Sequence, residues 1–325
     1  MFFNFFKKYT SLLLLTLILF PTSTLAASKY LIAGGDNIGI EIKTTGVIVV
    51  GTYDNHSRKS DLKAGDMITA VDGKKITTIE EMVNIINESK GQDLQIEYER
   101  DNKVQKTTLS IYNDNGVFKT GLYVKDTVTG IGTLSYIDPE NKTFGALGHE
   151  IVEKNTGEIL EVKEGTIFNS DVVNVEKSEI GVPGSKTAQF YTDQVRGQIT
   201  DNTIKGIFGN YTGSIDSSKV YKVADINDVE LGKATIRTVL ENNTIGEYEI
   251  NILKINKDKN SNKNILFEIT DEELLNKTGG VVQGMSGSTI IQGDYIIGAV
   301  NFVLVDNPIR GYGIFIQNML EEAEK

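Results

Sequence analysis

Two histidines, His56 and His149, are the chain's only imidazoles, and it has no cysteine. Imidazole chemistry therefore rests on one of these two residues, and a thiol nucleophile is excluded. His56 lies in the polar run Asp54-Asn55-His56-Ser57-Arg58-Lys59-Ser60, whose composition is that of a solvated loop. His149 stands in Phe144-Gly145-Ala146-Leu147-Gly148-His149-Glu150-Ile151, between a flexible glycine and a strand-like run. That setting can present an imidazole at a barrel edge, although a hydrogen-bonded structural histidine fits the segment alone somewhat better. A second stretch reads Gln283-Gly284-Met285-Ser286-Gly287-Ser288-Thr289. Gly284 and Gly287 permit a tight turn that projects the Ser286 hydroxyl. The main-chain N–H groups at Gly284 and Ser286 are then free to receive an oxyanion. Glycine-rich hairpins share this phrase, and Ser288 is the alternative nucleophile. Upstream, Asp271 is close enough in sequence to order an imidazole, with Glu268, Glu272 and Glu273 as neighbouring alternatives. With no thiol and two histidines, a protein-bound zinc site is not expected, and neither is any cofactor.

Strands must position these residues. The region 117–325 has short apolar runs separated by Gly, Asn and Asp and no long amphipathic helix, which predicts a β-barrel or paired barrels. Strands are expected at 130–136, 159–163, 197–201, 206–211, 218–223, 233–239 and 245–255, with a short closing helix near 316–323. A smaller unit is expected over 30–112. There strands at 38–42, 46–51, 67–71, 93–100 and 107–111 surround one helical pattern at 79–89. Ile79, Met82, Val83, Ile85 and Ile86 give that helix an apolar face, Thr78 an N-cap and Gly91 a stop. The fold class is mainly β.

The chain has 325 residues, enough for two domains, and 39% of them are apolar. With 33 basic and 44 acidic side chains, its net charge is −11, which argues against nucleic acid as a partner. Lys7 and Lys8 precede an apolar run over 12–20, and Leu25-Ala26-Ala27 follows it. Residues 1–29 therefore read as a signal peptide or a membrane anchor. The run is short for a clean span, so cleavage and retention are both open.

The phrase Ala64-Gly65-Asp66-Met67-Ile68, followed by Val71-Asp72-Gly73, resembles the PDZ domains that bacterial proteases carry. The resemblance implies a groove that captures an extended peptide by strand addition. Its carboxylate loop would be Ile38, Gly39 and Ile40, and its other wall Ile79, Met82 and Val83.

The Ser286 turn resembles the nucleophile loop of trypsin-like serine peptidases, where glycine follows the serine directly; this favours Ser286 over Ser288. The segments 144–149, 269–288 and 296–314 together resemble the sporulation stage IV B peptidases, over nearly the whole chain. Thr289 stands where that family often has proline, and Val300-Asn301 where it often has Thr-His. The resemblance implies a trypsin-like β-barrel domain over 117–325, with Ser286 as nucleophile, His149 as base and Asp271 as third member. It further implies export across the forespore membrane, self-cleavage, and cleavage of a membrane-associated regulator that activates sigma-factor processing by an intramembrane protease. The alternative is a membrane-tethered PDZ protein whose peptidase-like domain is only a scaffold.

Overall fold

Alternation of apolar and polar residues makes strands of most of the chain. The computed structural model describes residues 30–53, 61–216 and 220–325. The leader expected over 1–29 and the loop holding His56 lie outside those residues. No described helix is long and apolar enough to cross a membrane.

Twelve strands close two antiparallel barrels. The first contains β2 (Asn37–Thr52), β9 (Leu122–Asp138), β10 (Thr143–Ala146), β11 (Glu164–Glu176), β12 (Ser185–Thr203) and β13 (Gly206–Tyr211). They pair in the order β2–β9–β10–β13–β12–β11 and back to β2. Ile38, Ile40, Ile42, Leu134, Phe144, Ile167, Ile199 and Ile207 fill the interior. The second barrel contains β15 (Gly232–Glu241), β16 (Thr244–Ile255), β17 (Ile265–Ile269), β18 (Thr289–Gln292), β19 (Tyr295–Val303) and β20 (Arg310–Phe315). Its order is β15–β16–β17–β20–β19–β18 and back to β15. In chain order, both barrels close as first, second, third, sixth, fifth, fourth. Closure leaves neither barrel with an open sheet edge around its girth.

Between them, β1 (Tyr30–Ala33) pairs with β9 and with β14 (Val220–Val223), and β14 runs parallel to β19. Helix α2 (Glu272–Thr278) links β17 to the Ser286 turn, and α3 (Ile316–Ala323) closes the chain against both barrels.

The smaller unit is built from β3 (Met67–Val71), β4 (Lys74–Lys75), α1 (Ile79–Glu88), β5 (Leu94–Arg100) and β6 (Lys103–Leu109). The hairpin of β7 (Tyr112–Asp114) and β8 (Val117–Lys119) follows. A capping box fixes the start of α1: the Thr78 hydroxyl accepts from Glu81 N–H, and the Glu81 carboxylate accepts from Thr78 N–H. Bonds from the Thr77 and Thr78 N–H groups to the Glu81 carboxylate hold it below its ordinary range. Val47, Val49, Ile68, Met82, Ile86, Ile96 and Leu122 share this unit's core.

The expected boundaries need correction. The small unit does not begin at Tyr30. Residues 37–43 of β2 pair with β9 on one edge and β11 on the other, inside the first barrel. Only the second half of β2 enters the small unit, where Val47 and Ile48 pair with β3. The two short strands expected at 38–42 and 46–51 are one long strand serving two cores. The small unit is thus inserted between the first and second strands of the first barrel.

Candidate active site

The Ser286 turn and His149 come from different barrels and meet on β19. Ser286 sits just before β18 in the second barrel and is half-buried. Its Oγ donates to the Asn301 carbonyl at 3.3 Å. His149 follows β10 in the first barrel. Two consecutive left-handed residues present it: Leu147 at φ 68° and Gly148 at φ 71°. A leucine in that region is an uncommon, costly conformation. The Asn301 side chain donates to the Gly148 carbonyl at 3.4 Å and to Asn262 O. The His149 ring lies on the Phe302 ring, with centroids 5.7 Å apart and planes 29° apart. Adjacent residues of one strand therefore hold the serine and the histidine.

The barrels also touch through backbone. Thr133 N–H donates to Ser286 O at 2.9 Å, and Thr133 Oγ1 donates to Gly284 O at 2.8 Å. Gly287 has φ 97°, and a Cβ there would strike Thr133 O and the Leu147 N–H. Only glycine lets the turn lie this close to the first barrel. Gly287 N–H donates to Val300 O and Ser288 N–H to Met285 O. The Gly284 and Ser286 N–H groups make no hydrogen bond within the described residues, so both donors are available to a ligand. Ser288 is fully buried and its hydroxyl is unpartnered. Of the two serines, Ser286 alone is reachable from solvent.

His149 Nδ1–H donates to Glu150 O at 2.7 Å, which leaves Nε2 as the basic nitrogen. Burial lowers the His149 pKa from 6.5, outweighing the Glu150 carbonyl bond and carboxylate charge, which raise it. The ring is thereby kept neutral near pH 7.

Asp271 is not brought to His149. It is the N-cap of α2: one carboxylate oxygen accepts from Leu274 N–H at 2.9 Å and the other from Glu249 N–H at 3.4 Å. Ile265, Gly313 and Val300 form one rung across β17, β20 and β19. Asp271 lies beyond the end of β17 at Ile269, and none of its described hydrogen bonds reaches His149. Sequence reasoning gave no site role to Asn301, which it marked only as a departure from the resembled family, or to Phe302. It also missed Glu150, whose Oε2 is buried and unpartnered beside His149.

The expected peptide-capture residues divide as well. Ile38, Gly39 and Ile40 cannot take an added strand, because both edges of β2 are already paired there. Gly39 serves close packing instead: a Cβ would lie 2.9 Å from the Phe190 ring. Met82 is only 2% exposed and belongs to the core, whereas Ile79 is half-buried and Val83 exposed. The strand beside α1 is the start of β9, whose Tyr123–Lys125 pair with β2 on one edge only among the described residues. Ile79 N–H donates to the Asp126 carboxylate at 2.7 Å, tying β9 to the start of α1. An open strand edge beside an apolar helix face is the geometry that strand addition requires.

Two barrels with a serine turn and a histidine at their junction, and a peptide-capturing unit set into the first, define a peptidase with a PDZ unit. The family model for SpoIVB peptidase S55 matches residues 116–320, and a PDZ model matches residues 36–111. The chain belongs to the SpoIVB peptidase S55 family.

Among solved structures, the PDZ domain of the SdrC-like protein from Listeria monocytogenes is similar at 24% identity. That match covers 26% of this chain and 93% of that one, with a TM-score of 0.24. An inactive form of Rv3671c from M. tuberculosis is similar at 11% identity, over 59% of this chain and 81% of that one, with a TM-score of 0.34. No curated protein matches.

Proposed function

We propose that the chain is a trypsin-like serine endopeptidase in which Ser286 is the nucleophile and His149 the general base. The observation that carries this is the delivery of both residues, one from each barrel, to the neighbouring positions Asn301 and Phe302. For attack, the Ser286 hydroxyl turns from the Asn301 carbonyl toward His149 Nε2, a tightening expected when substrate binds. Nε2 takes the proton as Oγ bonds to the peptide carbonyl carbon. The carbonyl electrons move onto oxygen, which the Gly284 and Ser286 N–H groups receive. Protonated His149 then gives its proton to the leaving amine. A water activated by the same nitrogen releases the acyl group. The Glu150 carbonyl, rather than Asp271, fixes the ring tautomer. Among the described residues no strand pairs with β19 past Val300 on its β18 side, which suits an extended substrate.

The PDZ unit is proposed to recruit substrate along β9. The sporulation role is a proposal resting on the family: self-cleavage near the N-terminus, and cleavage of a membrane-associated regulator of an intramembrane protease outside the forespore membrane. A fluorophosphonate probe tests the chemistry, because an activated serine displaces its fluoride. Mass mapping is expected to find the adduct on Ser286. An adduct on Ser288, or none on folded protein, contradicts the assignment and favours the scaffold reading.

A further inference from the structure

Beneath the nucleophile turn lies a lysine that the mechanism does not use. Lys186, on β12, is 4% exposed. Its amine donates to Thr238 Oγ1, on β15, at 2.9 Å. Among the described residues no carboxylate bonds to it. Its main-chain N–H donates to Gln283 O at 2.9 Å, and Gln283 N–H donates to Gly184 O at 2.8 Å. Its stem lies directly under Gly284, where a Cβ would be 3.2 Å from Lys186 Cβ and Cδ. One residue thus touches the turn through backbone and side chain, two residues before Ser286.

The surroundings of the amine are uncharged. From β15 they present Thr238; neighbouring Arg237 directs its guanidinium to Gly34 O and the Glu247 carboxylate. From β11 they present Val175, the register partner of Lys186; neighbouring Glu176 accepts from the Ser185 hydroxyl. The turn itself offers Gln283, Gly284 and Met285, and Ile131 of β9 closes the other side of Gly284. Burial alone lowers the amine's pKa from 10.5 to about 7. A buried charge without a partner is costly, so the site favours the neutral amine.

We propose that Lys186 is a positioning residue for the peptidase reaction: its uncharged amine, seated on Thr238, keeps the Gln283–Ser286 turn on β12, and uptake of a proton unseats the turn. This rests on the assignment of Ser286 as nucleophile. It makes Lys186, besides His149, a determinant of the acid side of the pH profile.

The test uses the purified full chain and a peptide substrate, with kcat/KM followed from pH 5.5 to 9. The wild type is expected to lose activity as pH falls through about 7. Lys186→Met removes the titrating group and is expected to move that acid limb down by at least half a pH unit. Lys186→Arg carries a permanent charge and is expected to lose ten-fold or more at every pH while folded. An acid limb unchanged in Lys186→Met, or full activity in Lys186→Arg, overturns the proposal. If neither variant folds, ¹³Cε-lysine NMR of the wild type decides. A lysine titrating within one unit of pH 7, in step with activity, supports the proposal; none titrating below pH 9 overturns it. If the wild type and Ser286→Ala cleave equally, the nucleophile assignment fails instead, which is a separate result.

Discussion

A neutral imidazole at the junction of two barrels has a pH signature. In the folded protein His149 resists protonation, because burial lowers its pKa below the ordinary 6.5. The unfolded chain therefore binds the proton first as pH falls. Its contribution is present above 6.5 and is lost as pH drops through the folded-state value. Lys186 obeys the same sign in a higher window, from 10.5 down to about 7. Thermal unfolding is therefore expected to occur at higher temperature at pH 9 than at pH 7, with a smaller rise in Lys186→Met; equal rises would argue against a buried neutral amine. Asp271 separates two roles cleanly. As a helix cap it is replaceable by asparagine, which caps as well without charge, whereas alanine costs about 1 kcal/mol. Asp271→Asn is expected to retain kcat/KM within a few-fold, and Asp271→Ala to unfold more easily. A thousand-fold loss in folded Asp271→Asn would restore the aspartate to the catalytic set.

At the scale of elements, the Ser286 turn depends on its glycines. Gly287 needs φ 97° and has Thr133 O where a Cβ would stand. Gly287→Ala is expected to destabilise the fold by more than about 1 kcal/mol and to abolish cleavage. Calorimetry and a cleavage assay showing neither would mean that the turn is free to relax.

This is also the scale at which sequence was most and least informative. The helix at 79–89 was legible because a capping box and an apolar stripe coincide there. The Ser286 turn was legible because its glycines punctuate an apolar run. The long strand β12 was not, because much of its length is exposed or half-exposed and shows no clean alternation. The expected strand at 159–163 is an open segment carrying a single bridge, Val152 to Ile159, before β11 begins at Glu164. Ile38-Gly39-Ile40 misled because a glycine between two isoleucines fits both a carboxylate loop and a crowded barrel strand. Only the long-range pairing with β9 and β11 distinguishes the two.

For the whole molecule, the insertion of the PDZ unit into the first barrel has consequences. Leu31, Ile38, Ile40 and Ile42 precede that unit in sequence yet are all buried at 3% exposure or less. Burying four such side chains contributes roughly 6–12 kcal/mol, against a typical total stability of about 5–15 kcal/mol. A chain of residues 117–325 is therefore expected to show no cooperative unfolding transition, while residues 30–325 show one. A cooperative transition in the shorter chain would separate the barrel from its first strand. The proposed capture groove and the proposed nucleophile also share one element, since β9 runs from beside α1 to Thr133, whose N–H donates to Ser286 O. Val83→Asp on α1 is expected to weaken binding of an extended apolar peptide at least ten-fold and to leave cleavage of a short peptide unchanged. Unchanged peptide binding would place capture elsewhere.

The most direct measurement is a cleavage time course of the full chain and Ser286→Ala. Mass spectrometry would follow both a candidate regulator peptide and the protein's own N-terminal segment. The wild type is expected to give discrete products, and folded Ser286→Ala to be slower by at least about a thousand-fold. Equal rates from the two proteins would contradict the assignment of Ser286 as nucleophile, and with it the account of the site.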